Sequence, residues 1–182
     1  MVAPTHTACV ALGANIGEPL RQLEAAFAAL AALPDTKLVA RSSLYRSAPV
    51  GYADQPDFIN AVAMIETALA PHALLDAVLA IERVNGRVRE FPNAPRTLDL
   101  DILLYGDLVL QEPGLTIPHA RMLERAFVMV PLAEIAPDAV VPGRGRVRDL
   151  AALVDAASVA QLQRITGASG KKLAAAKCGR TA

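Results

Sequence analysis

Tryptophan is absent from this 182-residue chain, which contains only four Phe and three Tyr. A site that stacks aromatic side chains on a ligand therefore has few candidate residues. Cysteine is also scarce, and Cys9 and Cys178 lie near opposite ends of the chain. Two such cysteines exclude a disulfide framework and a cysteine metal cluster, and they are typical of a reducing cytoplasm.

The chain also has a formal net charge of zero and no long apolar run. Lys and Arg total 18, as do Asp and Glu, so the formal charge is zero. No general attraction to nucleic acid or to an anionic membrane is expected. No run approaches the 18 apolar residues of a membrane span, and the first residues lack a secretion pattern. We expect a soluble cytoplasmic protein without a membrane or nucleic-acid partner.

Alternation and helical periodicity predict a mixed α+β domain. The predicted helices begin at Pro19 and Pro71 and end near Asp35 and Asn85. The predicted strands cover residues 8–12, 37–47 and 58–67, and a further strand after Thr97 is followed by a short hairpin partner beyond the turn at 106–107. This order favours a ferredoxin-like split βαβ sandwich with extra C-terminal helices.

The hydrophobic pattern fades near residue 156. We therefore expect a domain over residues 1–155 and a mobile tail over residues 156–182. Within the domain, residues 48–57 contain two Pro, one Gly and two Asp, which predicts an exposed loop and a candidate binding element.

Two aspartates alternate with apolar residues between positions 98 and 102. In a strand, Leu98, Leu100 and Ile102 face the core, while Asp99 and Asp101 project together from the other face. Their rise of about 6.6 Å implies a repulsion of roughly 2.5 kcal/mol at an effective dielectric of 20. Mg²⁺ prefers such oxygen ligands, and a site for two ions could use both. The alternative is a half-exposed strand with acids on its solvated face.

Basic residues surround the aspartates in sequence. They are Arg83, Arg87, Arg89, Arg96, Arg121 and Arg125, with His119 nearby. A guanidinium group can donate two hydrogen bonds to a phosphate, so acids beside bases favour a magnesium triphosphate. A surface salt-bridge network and a turn-capping role for His119 are the alternatives. Neither a P-loop nor a dinucleotide-binding glycine motif is present.

Phe58, Asn60 and Phe127 form a second candidate site. Two aromatic faces and one amide can bind a flat heterocycle, although each Phe taken alone is more often a core residue.

Six stretches carry a family resemblance: ALGANIG, SSLYRSAPVG, DQPDFINA, IERVNGRVR, APRTLDLDILLYG and LTIPHARMLERAF. Over about residues 8–155 the chain resembles 6-hydroxymethyl-7,8-dihydropterin pyrophosphokinase, an enzyme of folate biosynthesis. The resemblance implies a ferredoxin-like fold. It also implies that the substrates are ATP and this pterin, that pyrophosphate moves to the pterin hydroxymethyl oxygen, and that AMP is released.

The resemblance also implies residue roles. Asp99 and Asp101 match the ligands of two Mg²⁺ ions, and Arg89 and Arg96 match catalytic residues of a loop that closes over the substrates. The positions implied to bind ATP are Glu82, Arg89, Arg96, Ile102, Thr116, His119 and Arg125. The positions implied to bind the pterin are Ser47, Ala48, Val50, Phe58, Asn60 and Phe127.

The segment EFPNAPR departs from the family pattern. Pro92 and Asn93 stand where an Arg and an aromatic residue are usual, and the loop is one residue shorter. A different metal-dependent phosphotransferase is therefore one alternative, and an RNA-binding module on the same split βαβ plan is another. We expect the protein to act as a monomer or weak homo-oligomer.

Overall fold

An antiparallel sheet with helices on both faces organises the chain. The computed structural model describes residues 4–50, 54–86 and 96–165. The elements in chain order are β1 (His6–Ala14), α1 (Pro19–Ala31), β2 (Thr36–Arg41), β3 (Tyr45–Ser47), β4 (Phe58–Thr67), α2 (Pro71–Val84), β5 (Asp99–Tyr105), β6 (Leu110–Glu112), β7 (Leu115–Ile117), a 3-10 turn (Met122–Glu124), α3 (Ala126–Ile135), β8 (Val140–Val141), β9 (Gly145–Arg146), α4 (Val147–Ala151), α5 (Ala156–Ala160) and β10 (Gln163–Arg164).

The main sheet has the strand order β10-β3-β4-β1-β5, and β2 also pairs with β4. Each of these pairs is antiparallel. Two further two-stranded sheets, β6-β7 and β8-β9, lie outside the main sheet. The neighbouring strands β4, β1 and β5 form the middle and one edge of the main sheet, and they carry the candidate site.

Helices α1 and α2 cover one face of the sheet. Each begins at a proline, which suits the first helical position because its missing N–H has no partner there anyway. Their buried side chains include Leu23, Leu30 and Leu74, which pack with strand residues such as Leu100 and Ile102 in one hydrophobic cluster. Leu20, at the start of α1, lies off this buried face and is 46% exposed.

Helix α3 covers the opposite face. Met129 and Leu132 are fully buried, and they share a second hydrophobic cluster with Val62 of β4 and Leu104 of β5. The sheet is thus buried on both sides over most of its length, which fixes the positions of its strand ends.

The predicted helices and the predicted strand at 58–67 are confirmed. The single strand predicted at 37–47 is wrong, because the chain breaks between β2 and β3 at Ser42. The Ser42 hydroxyl accepts a hydrogen bond from Val62 N at 2.9 Å, and Ser42 N donates to Val62 O at 2.9 Å. A side-chain acceptor thus takes the place of a regular ladder bond.

The expected hairpin partner of β5 is also wrong. Gly106 N donates to Thr7 O of β1 at 2.7 Å, and the chain then turns away from β5. The strand β6 pairs instead with β7, from Leu110 opposite Ile117 to Glu112 opposite Leu115.

The tail expected from residue 156 needs correction for its first ten residues. They form α5 and β10, and β10 pairs with β3 through Arg164 opposite Tyr45. Arg164 also binds Glu134 of α3 at 3.0 Å. Polar residues in a two-residue strand leave no periodicity for sequence analysis to detect. The remaining expected tail, 166–182, lies outside the described residues.

None of the helices in the described part of the chain has both the length and the apolar character needed to cross a bilayer.

A buried carboxyl group joins α2 to the sheet. Glu82 is 2% exposed, and its Oε1 accepts a hydrogen bond from Leu100 N at 2.7 Å. Leu100 lies between the two aspartates of β5, so this bond ties the helix to the backbone that carries both of them.

Replacing Glu82 should therefore destabilise the fold. Glu82→Ala leaves a buried N–H without its acceptor, which should lower the free energy of unfolding by about 1–3 kcal/mol. Glu82→Gln keeps an oxygen acceptor and should cost less. Urea unfolding measures the free energy of unfolding of both variants. Asp76→Ala, at an exposed position of α2, is the control. Equal stability of Glu82→Ala and Asp76→Ala would contradict the role of this bond.

Candidate active site

The candidate site lies where β1, β4 and β5 end together. Gly13 of β1 stands opposite Asn60 of β4 on one side and Asp99 of β5 on the other, and Ala11 stands opposite Asp101. Residues directly opposite in a ladder share a face of the sheet. A Cβ atom on Gly13 would lie 3.2 Å from Asn60 Oδ1, so glycine lets the amide and the carboxylate lie close on either side of it.

A cavity of about 380 Å³ opens above this strand end. Eleven of the predicted site residues line it: Ser47, Ala48, Val50, Phe58, Asn60, Arg96, Asp99, Asp101, His119, Arg125 and Phe127. Three arginines, including Arg121, and two aspartates are among the lining residues, so this lining carries one net positive charge when His119 is neutral. The cavity suits an anionic ligand.

The two aspartates project as predicted, since Leu98, Leu100 and Ile102 are buried and both carboxylates reach the cavity. Cationic side chains face them. Arg96 Nη1 donates to Asp99 Oδ2. Asp101 Oδ2 lies 3.9 Å from both His119 Nε2 and Arg125 Nη1. The guanidinium groups of Arg96 and Arg125 offset part of the repulsion between the carboxylates.

The donor set suits a metal ion that binds together with a phosphate ligand. No group of three or more His, Cys, Asp or Glu that could hold a metal occurs in residues 4–50, 54–86 and 96–165. Magnesium in phosphate-transfer sites needs only one or two carboxylates, and water and substrate oxygens complete its shell. Asp99 and Asp101 fit that requirement.

The backbone around His119 sets the orientation of its ring. His119 N donates to Leu103 O of β5 at 2.9 Å, and Nδ1 accepts from Arg121 N at 3.2 Å. A neutral ring with Nδ1 as acceptor carries its proton on Nε2, which points toward Asp101. Burial lowers the pKa of His119, partly opposed by Asp101 and Asp99. His119 can thus present an N–H donor to the cavity without being charged.

Both predicted aromatic residues line the cavity beside an arginine. Arg96 Cζ lies 5.4 Å from the centre of the Phe58 ring, and Arg125 Cζ lies 5.7 Å from that of Phe127. Each distance is within the range of a cation–π contact. The arginines therefore connect the acidic part of the cavity to its aromatic part.

The predicted amide is fixed by one side-chain hydrogen bond. Asn60 is 4% exposed, and its Nδ2 donates to Ser47 Oγ at 2.8 Å. This bond directs Nδ2 toward Ser47 and leaves Oδ1 beside Gly13. The amide is therefore presented in one orientation, which a ligand with a matching polar edge could use.

Sequence reasoning missed Asn15, which is 3% exposed. Its Oδ1 accepts from Arg96 N at 2.9 Å, and its Nδ2 donates to Gln55 Oε1 and to Pro56 O, each at 2.9 Å. One side chain therefore joins the segment that carries Arg96 to the segment that leads into Phe58. The signal available in the sequence is an amide, able to donate and accept, in the turn between β1 and α1.

Three further predicted site residues, Glu82, Ile102 and Thr116, are not part of this lining. Glu82 is buried beneath β5, Ile102 is 4% exposed in the hydrophobic cluster under α1 and α2, and Thr116 lies in β7 opposite Gln111. Arg89 lies outside the described residues. The roles given to all of the predicted site residues, in the lining and outside it, stay predictions.

Comparison with known proteins agrees with this geometry. Residues 9–137 match the family model described as 7,8-dihydro-6-hydroxymethylpterin-pyrophosphokinase. The 2-amino-4-hydroxy-6-hydroxymethyldihydropteridine pyrophosphokinase of Pseudomonas aeruginosa is 51% identical over 159 residues, which cover 87% of this chain and 96% of that protein. The protein of the same name from Haemophilus influenzae is 52% identical over 144 residues, covering 79% and 90% of the two chains.

Solved structures show a related fold at much lower identity. A crystal structure of wild-type Plasmodium falciparum HPPK-DHPS with pteroate has a TM-score of 0.64 at 14% identity. The match covers 84% of this chain and 43% of that longer chain. With a family model that spans most of the chain and relatives about half identical over nearly their whole length, the chain belongs to the 7,8-dihydro-6-hydroxymethylpterin-pyrophosphokinase family.

Proposed function

We propose that the protein transfers the pyrophosphoryl group of ATP to the hydroxymethyl oxygen of 6-hydroxymethyl-7,8-dihydropterin and releases AMP, as a step of folate biosynthesis. One observation carries the proposal. The paired carboxylates of Asp99 and Asp101, their facing cations and the two phenylalanines line a single cavity in a member of this family.

The charged part of the cavity is proposed to bind ATP. Arg96, His119 and Arg125 supply N–H donors around the two carboxylates, and guanidinium groups bind phosphate oxygens well. Family resemblance assigns an ATP-binding role to four further positions, Arg89, Glu82, Ile102 and Thr116. The buried Glu82 would act indirectly, through its hydrogen bond to the backbone of β5.

Two Mg²⁺ ions are proposed as cofactors, with Asp99 and Asp101 as the protein ligands that would hold them. When bound, such ions neutralise phosphate charge and favour displacement at phosphorus. Arg96 and Arg125 keep the two carboxylates in place beforehand, because their guanidinium groups face Asp99 and Asp101 respectively.

The aromatic part of the cavity is proposed to bind the pterin. Phe58 and Phe127 can stack on its two faces, and the oriented amide of Asn60 can bind its polar edge. Ser47, Ala48 and Val50 complete this pocket, and Ser47 also orients Asn60.

Catalysis of this reaction depends mainly on how the two substrates are positioned. A bond forms between the pterin oxygen and the β-phosphorus, the bond from that phosphorus to the oxygen of AMP breaks, and the hydroxyl proton is lost. Phosphoryl-group transfer needs alignment and charge stabilisation rather than a covalent enzyme intermediate. Arg96 and Arg125 contact both parts of the cavity and so can align one substrate with the other.

Three finer expectations complete the proposal. The strand order β3-β4-β1-β5, with helices α1 and α2 between strands on one face, supports a ferredoxin-like arrangement.

The zero net charge supports small-molecule substrates over nucleic acid, and the outward aspartates of β5 argue against an RNA-binding sheet. We further propose a cytoplasmic enzyme that acts as a monomer or weak homo-oligomer.

The nucleotide product tests the reaction. With ATP, Mg²⁺ and the reduced hydroxymethylpterin, the protein should release AMP in equal amount to the pyrophosphorylated pterin, as measured by chromatography. Omitting the pterin should abolish AMP release. Formation of ADP would indicate a different phosphotransferase instead.

Removing one carboxylate should abolish activity without unfolding the protein. Asp101→Asn keeps the shape and removes the charge, so kcat/KM should fall by at least about a hundredfold. Thermal stability should change little, because the repulsion from Asp99 and the attraction of the facing Arg125 are lost together. Asp107→Asn, in the exposed turn after the same strand, is the matched control. A loss of stability in Asp101→Asn that matches its loss of activity would indicate a structural acid pair.

Variants of Asn15 should distinguish the kinetic effects of the two segments that this residue joins. Asn15→Asp keeps an acceptor for Arg96 N but loses both donors to Gln55 and Pro56, so the KM for the pterin should rise more than that for ATP. Asn15→Ala should raise both KM values by about tenfold or more, since it loses all three bonds. Steady-state kinetics with each substrate varied measures the split. Equal effects of the two variants on both substrates would argue against this positioning role.

A further inference from the structure

Arg121 lines the cavity but has no role in the function proposed so far. It shares this lining with Asp101, His119 and Arg125. Its side chain is 53% exposed, and Nε lies 3.4 Å from Glu124 Oε2, a carboxylate that is itself 67% exposed. An exposed pair at this distance contributes little to stability and can exchange for another anion at little cost.

The backbone of Arg121 is held firmly while its side chain remains accessible. Arg121 N donates to His119 Nδ1 at 3.2 Å, and the next residue, Met122, is 1% exposed in the cluster under α3. Met122 N also donates to His119 O at 3.2 Å. The Cα of Arg121 is thus fixed at the cavity rim, and a long charged side chain extends from it.

The charge of Arg121 affects two neighbouring side chains of the cavity, Arg125 and His119. Burial lowers the pKa of Arg125 most, and the nearby charge of Arg121 lowers it further. Arg121 also contributes to the lowered pKa of His119, after burial and Arg125. The positive charges of Arg121 and Arg125 repel each other. A polyanion bound in the cavity would relieve that repulsion, which favours its binding.

We propose that Arg121 is a phosphate-binding residue whose guanidinium leaves Glu124 and donates to non-bridging oxygens of the ATP triphosphate. This inference rests on the proposed function, since it concerns the same nucleotide site. It adds a third arginine, from the position just before the 3-10 turn, to Arg96 and Arg125. Arg121 would contact the triphosphate both in the ground state and in the transition state. Its loss should therefore weaken nucleotide binding more than it slows turnover.

Binding of an unreactive nucleotide provides the test. Magnesium with α,β-methylene-ATP is titrated calorimetrically into the unaltered protein and its variants. Arg121→Ala should weaken binding by about tenfold, the size of one charge-assisted hydrogen bond. Arg121→Lys, which keeps the charge without the two-pronged geometry, should recover part of the loss. Affinity for 6-hydroxymethylpterin alone should not change.

Two control variants separate phosphate binding from general effects. Arg148→Ala removes one positive charge from α4, where Arg148 pairs with Asp138 at 3.0 Å, and should leave affinity unchanged. Glu124→Gln releases Arg121 and should leave nucleotide affinity unchanged or higher. A loss in Glu124→Gln equal to that in Arg121→Ala would mean that the pair only supports the turn, and would overturn the proposal.

Kinetics distinguishes failure of this inference from failure of the proposed reaction. In Arg121→Ala the KM for ATP should rise about tenfold while kcat stays within about twofold. If the unaltered protein forms AMP but Arg121→Ala binds nucleotide equally well, the inference alone fails. If the unaltered protein forms no AMP, the proposed reaction fails, and the affinity difference still decides the role of Arg121.

Discussion

The site depends on the repulsion between two carboxylates that a single strand projects from one face. Alternation along β5 leaves Asp99 and Asp101 no means of separating without disturbing the buried residues between them. The chain therefore places a cation beside each of them, Arg96 on Asp99 and Arg125 near Asp101, and the N–H of His119 lies close to Asp101 as well. In the function proposed above, divalent ions would take over the neutralisation of the carboxylates, and phosphate oxygens would take over the contacts of the arginines.

Buried amides and carboxyls hold this charged cluster in place from behind. Glu82 fixes the backbone of β5 between the aspartates, and Asn15 fixes the backbone of Arg96 and the segment before Phe58. Gly13 keeps the space between β4 and β5 open. Glu82 and Asn15 lie outside the lining of the cavity, whereas Gly13 is part of it. The hydrogen bonds of the two buried side chains fix the backbone of the segments that carry the charged residues.

The sequence predicted the elements whose burial follows a regular period, and the face on which those elements carry the candidate site residues. The strand at 58–67, both long helices and the outward projection of Asp99 and Asp101 follow from alternation and helical spacing alone. The break at Ser42 and the pairing of β10 depend on single side-chain bonds and on distant partners, which no local pattern encodes. The contacts of Asn15 have the same origin, because they join positions 40 and 81 residues apart.

The pairing of β10 with β3 has a consequence for how the polypeptide can be shortened. Without β10, the backbone of Tyr45 and Arg46 would become an open sheet edge, and open edges invite an extended segment of another molecule to add itself. Arg164 would also withdraw from Glu134, leaving that carboxylate with only the hydroxyls and amide of Ser43 and Tyr45 among its partners in the described residues. A truncation at residue 155, where the hydrophobic pattern ends, would thus favour self-association, and a fragment that keeps β3 paired must include β10.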